Sequence, residues 1–436
     1  MRQIITLFLL VCSLASNAQN SLSFHSLNEV FSYADNHSYT FKNATQQVIL
    51  AKYETLAAQL SKWNVKGDAN FSSTDNTKLP TSFLPAEIFG GPAGTFKQIT
   101  LGQQYISNFN IAPQVDVLSP YAAAKVRIGH ANEKLTDITN QLNKKNLYDT
   151  VAGSYYAILS LQWQIIVTQK SLASADTLAQ ILRNKQKEGI ARSQDVNNAI
   201  ATELSTQDKL QQQEVQLLQQ YNILKMLCDI DANMLISIQQ PITPTTSFDA
   251  SLVATGHLVQ QEYEWQKHLQ DATLYADKKW YYPTLSLFGS VAWQQNTNNH
   301  FYDATPWLNS SYIGLKLTLP IIPDANKVAA VKYDRINVIT ANNTLKHAAL
   351  QDSVNNQQIQ LDYKRAFNSY QIATQIESLK QDSYQKNLNI YKEGILSATD
   401  LINSFIDWQN NSLNTVTQLA KSELAKSKIN INNTIQ

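Results

Sequence analysis

Proline sets the first limit on this chain. All 11 prolines of the 436 residues fall in two windows, Pro80 to Pro120 and Pro241 to Pro323. Residues 121–240 and 324–436 contain none, and the second tract holds a single glycine, Gly394. A β-sandwich, a propeller or a doubly wound α/β enzyme needs turn residues at every connection, so tracts like these exclude all three. Very long helices remain, interrupted by two short regions of another character.

Charge narrows the class. Charged residues make up 16% of the chain, and Lys+Arg of 35 against Asp+Glu of 34 gives a net +1. Asn and Gln supply roughly a fifth of the residues, so the polar surface is mostly neutral amide. Such a chain has no net field with which to grip nucleic acid or anionic lipid.

Residues 1–18 read as a secretory signal peptide: Arg2 is the positive n-region, Ile4 to Leu14 the apolar core, and Ser16-Asn17-Ala18 a small-x-small cleavage site. The run is shorter than the about 20 apolar residues a membrane helix needs. Val11 before Cys12 argues against a lipid anchor there. Cleavage leaves Cys228 as the one cysteine, on an apolar helix stripe with Leu217, Tyr221 and Leu224. No other segment is apolar for long enough to span a bilayer as a helix, so entry into a membrane requires a closed β-barrel.

The chain repeats itself. Lys187-Glu188-Gly189-Ile190 followed by Asp195-Val196 returns as Lys392-Glu393-Gly394-Ile395 followed by Asp400-Leu401. Lys62-Trp63 likewise returns as Lys279-Trp280, at a slightly larger offset, which places an insertion in the first copy between Leu79 and Phe96. The first structural repeat covers 19–240, with strands at about 63–74 and 98–118 and a helical hairpin over 121–230 whose tip is 187–195. The second covers 241–436, with strands at about 283–295 and 309–319 and a hairpin over 324–430 with its tip at 392–400. A helix leads into each pair of strands, Ser26 to Trp63 and about Leu252 to Trp280.

The strands alternate in polarity. Val65, Gly67, Ala69 and Phe71 share one face against Lys66, Asp68, Asn70 and Ser72, and Phe109, Ile111, Val115 and Val117 oppose Asn110, Gln114 and Asp116. Leu285, Leu287, Val291 and Trp293 lie opposite Thr284, Ser286 and Ser290. Ile313, Leu315, Leu317 and Leu319 lie opposite Tyr312, Lys316 and Thr318. Trp293, Tyr302, Trp307 and Tyr312 suit an aromatic girdle at a bilayer interface. Four strands cannot close a barrel, so a membrane role requires several chains to share one.

Ser119-Pro120 and Pro323-Asp324 read as helix starts. Leu147, Val151, Ile158, Leu161, Ile165 and Leu172 keep heptad spacing, and residues 121–187 would form a rod of about 100 Å. Ile372, Ile376 and Leu379 repeat that spacing in the second copy. Gly189 and Gly394 are expected as left-handed C-caps, with return helices starting near Asp195 and Asp400. These acids serve either as N-terminal caps or, if copies surround a passage, as a carboxylate ring favouring cations.

The ordered set of signal peptide, twofold repeat and G-x5-D-[VL] tips resembles the outer-membrane efflux protein family of TolC-type channels, over essentially the whole mature chain. Ser26 to Ala34 is similar to that family's N-terminal signature. The resemblance implies a mainly α fold with a β-barrel contribution: a homotrimer sharing one twelve-stranded outer-membrane barrel, continuous with a periplasmic α-helical barrel. It implies an outer-membrane channel, the passive exit duct of a tripartite efflux or type I secretion system, coupled to an inner-membrane transporter through a periplasmic adaptor. Asp195 and Asp400 would lie in the closing aperture. Gly189, Ile190, Ser193, Gly394, Ile395 and Ser397 would meet the adaptor. The family's locking arginine two positions after the second tip glycine is Leu396 here, and Ala191 holds the equivalent place in the first copy.

No catalytic, cofactor or metal site is expected. The seven histidines show no ligand spacing, and phosphate-binding glycine loops, a nucleophile elbow and cysteine pairs are all missing from the sequence. The alternative reading is a soluble periplasmic coiled-coil scaffold or adaptor without a pore. Two hairpins and four strands fit it poorly, because an adaptor carries compact β domains beside one hairpin. The transported substrate, whether drug, metal or protein, is not written in the sequence.

Overall fold

The computed structural model describes residues 21–240, 247–322 and 324–435. The expected signal peptide, Cys12 and Pro323 lie outside them, while Asp324 is described and its Oδ1 accepts from the Asn326 amide (2.8 Å) where the helix Ala325–Lys392 starts. Two compact units form, each cutting across the sequence repeats. One comprises the described parts of Met1–Val48, Thr136–Tyr263 and Leu345–Gln436, the other Ile49–Leu135 and Glu264–Thr344.

Four helices carry the length of the chain: α3 (Pro120–Lys187), α4 (Ser193–Cys228), α6 (Ala325–Lys392) and α7 (Ala398–Thr434). Both α3 and α6 have 68 residues. Pro120 and Ala325 are 205 positions apart, as are Ser193 and Ala398, so the internal repeat is a repeat of helical hairpins. The Ser119 hydroxyl accepts from the Ala122 amide (3.4 Å), which satisfies one orphan donor at the start of α3.

The leading helix, expected as one element from Ser26 to Trp63, is two: α1 (Leu27–His37) and α2 (Tyr39–Leu60). Ser38 between them is extended (φ −62°, ψ 131°). A local cap and a distant one meet here, and the Ser38 hydroxyl accepts from the Thr40 amide (3.2 Å). Asp229 Oδ2 accepts from both the Ser38 hydroxyl and the Tyr39 amide, each at 2.9 Å, and so caps α2 from the end of α4. Two short strands that the alternation pattern does not mark, β1 (Ser21–Phe24) and β6 (Leu235–Ile238), pair in parallel beside it.

The core of this unit gathers Val30, Val151, Tyr155, Ile158, Leu159, Leu224 and Cys228, of which Leu159 is 1% exposed and the others 0%. Of the expected heptad residues, Val151, Ile158 and Leu161 are buried, while Ile372 and Leu379 on α6 stand 57% and 68% exposed. Burial pushes the Cys228 thiol up to about 12. Since the thiolate is the reactive form, Cys228 of the native protein at pH 8 is expected to resist Ellman's reagent and to react only in denaturant. Rapid labelling of the folded protein would contradict this packing.

In the other unit, β2 (Lys66–Asp75), β5 (Tyr105–Leu118), β7 (Thr284–Thr297) and β8 (Leu308–Thr318) form an antiparallel sheet in the order β2-β5-β7-β8. The insertion in the first copy becomes a hairpin of its own, β3 (Thr81–Pro85) with β4 (Phe96–Thr100), joined by a short 3-10 turn. Here too α5 (Leu258–Lys279) begins later than the expected Leu252.

Candidate functional site

Two regions answer to the sequence expectations, the hairpin tips and the four-stranded sheet. At the first tip Gly189 takes φ +76°, and at the second Gly394 takes φ +80°, the left-handed conformation in which a Cβ is strained. In both, the next residue's amide closes the helix end: Ile190 donates to Lys185 O (2.8 Å) and Ile395 to Ile390 O (3.2 Å). Ile190 and Ile395 are left 64% and 75% exposed, and Ser193 and Ser397 are exposed beside them.

The two tip acids are placed differently. Asp195 is buried, and Arg192 of the same tip holds it with Nε on Oδ2 and Nη2 on Oδ1, both at 3.1 Å, while the Arg192 amide also donates to Oδ2 (3.2 Å). Asp400 is exposed. It accepts from the Ser397 hydroxyl (2.6 Å), and its amide donates back to the same oxygen (3.1 Å). Both acids therefore sit in the first turn of a return helix, where the helix dipole favours negative charge. Only Asp400 presents its carboxylate to solvent.

The tips are packed together by a second core. Leu178, Leu182, Val196, Tyr384, Leu401 and Phe405 meet there, with Trp408 stacked on Tyr384 at 5.3 Å. One side chain that the sequence motifs do not mark joins the hairpins by polar bonds. Lys185 donates to the carbonyls of Tyr391 (3.0 Å) and Lys392 (3.5 Å), the last turn of α6, and its ammonium lies 4.5 Å from the centre of the Tyr391 ring. Burial, and secondarily Asp195, raises the Tyr391 phenol above its usual range, so this ring stays neutral. The counterpart of Lys185 in the second copy is Ile390. Neighbouring positions differ between the copies too, Arg183 against Leu388 and Gln186 against Tyr391, so no sequence signal singles the lysine out.

The sheet separates polarity by face. Register places Phe71, Phe109 and Trp293 in one row, and Ala69, Ile111 and Val291 in the next. Leu285, Leu287, Ile313, Leu315 and Leu317 continue the same face through β7 and β8. The other face carries Lys66, Asp68, Asn70, Asn108, Asn110, Gln114, Asp116, Ser286, Ser290 and Lys316. Ser286 donates to Asp116 Oδ1 and Ser290 to Asn110 Oδ1, each at 2.7 Å, so the polar face is internally bonded.

Above the apolar face the β7–β8 loop folds back on the sheet. Buried Gln295 donates to the carbonyls of Asp303 (2.6 Å) and Thr305 (2.7 Å). Tyr302 stacks on Phe71 (6.3 Å), and its hydroxyl lies 2.9 Å from Ser73 Oγ. The expected aromatic girdle thus needs correcting. Trp293 and Tyr302 belong to the apolar face, but Tyr312 lies on the polar one, because β8 residue 312 pairs with Ser290.

Among the described residues neither edge strand, β2 or β8, has a second neighbour, and every residue of β2 is exposed. No described helix is long and apolar enough to cross a membrane. Among the described residues, no three His, Cys, Asp or Glu side chains gather in a way that could hold a metal ion.

No family model matches the sequence, and no curated protein matches it. Solved structures do. The outer membrane protein VceC of Vibrio cholerae aligns with a TM-score of 0.70 over 93% of this chain and 95% of its own, at 15% identity. The CmeC outer membrane channel of Campylobacter jejuni aligns with 0.71 over 93% and 85%, at 14% identity. The MtrE outer membrane channel of Neisseria gonorrhoeae, in its open state, aligns with 0.68 over 93% and 88%, at 14%.

The chain has the TolC-type channel fold.

Within that fold, the four-stranded sheet and the two long hairpins are the shared framework.

Proposed function

We propose that this protein is an outer-membrane channel: a homotrimer whose chains share one β-barrel and whose helices form a periplasmic duct. The observation that carries the reading is the sheet, apolar on one face, polar on the other and unpaired at both edges. An exposed, apolar, unpaired edge strand invites aggregation unless another strand covers it. Four strands are too few to close, so β8 of one copy pairing with β2 of the next satisfies both edges at once. Apolar residues left exposed on the helices, Leu204 and Leu218 on α4 and Ile336, Leu361 and Leu379 on α6, suit packing between copies.

As an exit duct the channel would work passively, with a periplasmic adaptor joining it to an inner-membrane transporter. The exposed tips, Gly189, Ile190, Ser193, Gly394, Ile395 and Ser397, are the surface offered to that adaptor. At the aperture Asp400 is the stronger candidate for a cation-favouring ring, since Arg192 already balances Asp195. The chemistry required is positioning and passage, with no role for an enzyme.

A soluble periplasmic scaffold gives no reason for a strand face of leucine and isoleucine open to water. The two readings separate in one preparation. Detergent extracts of the outer-membrane fraction should yield a trimer that migrates as such until heated, and the purified trimer should conduct ions in planar bilayers. Recovery as a soluble periplasmic monomer with no conductance would overturn the channel reading.

A further inference from the structure

Phe288 on β7 and Tyr312 on β8 are the two aromatic side chains on the polar face of the four-stranded sheet. They meet edge to face, with centroids 6.0 Å apart at 72°. Gly314 makes room for the pair: a Cβ there would come within 2.9 Å of Phe288 Cζ, so a side chain at 314 would displace the ring. Tyr312 remains 61% exposed. An aromatic pair on an amide-lined face contributes nothing to a lipid girdle and leaves a π surface open to whatever passes over that face.

Its surroundings define the guest. Lys66 lies in the cross-strand row of Phe288, through Gln114, and Asp68 lies in the row of Tyr312 and Ser290. The row on the other side holds Asp116, Ser286 and Lys316. Lys316 and Asp116 stand in the adjacent row and Lys66 and Asp68 further across the same face on β2, so the two signs balance and the field over the face selects no net charge. Amides and hydroxyls on every side offer hydrogen bonds to the edges of a flat molecule.

The geometry points to a binding subsite on the polar face, built from Phe288 and Tyr312 and seated by Gly314, for planar aromatic molecules of no net charge with hydrogen-bonding edges. The inference rests on the channel reading, in which this face lines the pore and each copy contributes one platform. Aromatic stacking supplies affinity without demanding one particular ligand.

Single-channel current in planar bilayers tests it, with riboflavin as the probe and sucrose as a non-aromatic control. Riboflavin should produce brief blocks in the wild-type pore. Tyr312→Leu should shorten their dwell time about tenfold, Phe288→Leu with Tyr312→Leu should shorten it further, and Tyr312→Phe should keep most of it. Sucrose should affect all variants alike. Trimer migration confirms assembly of Tyr312→Leu, whose exposed ring is outside both helical cores. Equal riboflavin dwell times in wild type and Tyr312→Leu, or no block of the wild-type pore, would overturn the subsite while leaving the channel standing. No conductance from the wild-type trimer would overturn the channel and the subsite with it.

Discussion

Leu315→Arg is expected to abolish the heat-modifiable trimer in the outer-membrane fraction, while Lys316→Asn, one residue along the same strand, is expected to leave it intact. Leu315 is 69% exposed on β8 and shares the apolar face with Ile313 and Leu317. If that face meets lipid, an arginine near the bilayer midplane costs about 2–4 kcal/mol per chain. Three copies in one barrel multiply this to roughly 6–12 kcal/mol, enough to lower assembly by about four decades or more. Lys316 points to the opposite face, where a neutral amide joins many others. In a soluble scaffold the expectation reverses, because an exposed leucine exchanged for arginine changes stability by only about 0.5 kcal/mol in either direction. A Leu315→Arg trimer recovered at wild-type yield would therefore argue against lipid contact more directly than any failure to find a partner.

That contrast depends on a pattern legible in the sequence. Alternation is local, so it places Val291, Ile111, Leu287 and Leu315 on one face residue by residue, while their pairing is set by the register of the folded sheet. Tip glycines are legible for a related reason: a long helical pattern that stops at Lys-Glu-Gly-Ile twice, at one offset, marks a capped helix end in each copy. What stays hidden depends on partners far apart in the chain. At Ser38 the local signal is only one serine able to cap the next helix through the Thr40 amide, and the second cap, on the Tyr39 amide, comes from Asp229, 190 residues away. Strands β1 and β6 have four residues each and pair across more than two hundred positions, so periodicity has too short a window. Nearness in sequence groups Tyr312 with Trp293, although strand parity separates them. At the tips the motif locates Asp195 and Asp400 alike, but burial and the guanidinium of Arg192 make them chemically unequal.

Lys185→Met is expected to loosen the tips while sparing the core around Tyr155. The ammonium now satisfies carbonyls at the C-terminal end of α6, where the helix dipole favours a cation, and it lies against the Tyr391 ring as well. Methionine keeps the length and apolar stem of the side chain and removes only the charge and its donors. A hydrogen bond from a charged group contributes about 1.5–3 kcal/mol, and partial exposure of Lys185 favours the lower part of that range. Around 2 kcal/mol corresponds to roughly thirty-fold faster amide exchange in the last turn of α6, with Lys185→Arg retaining much of the protection. Exchange around Tyr155 should not change, because that core shares no residue with the tip cluster. If the tip amides exchange no faster in Lys185→Met, the apolar packing of Leu182, Tyr384 and Phe405 holds the tips together without help from the lysine. In that case the lysine is an ornament of one crossing point. If they do, Lys185, whose counterpart in the other copy is Ile390, adds a polar tie at the tips to those that Lys209–Asn410 and Gln409–Thr206 make further along the two hairpins.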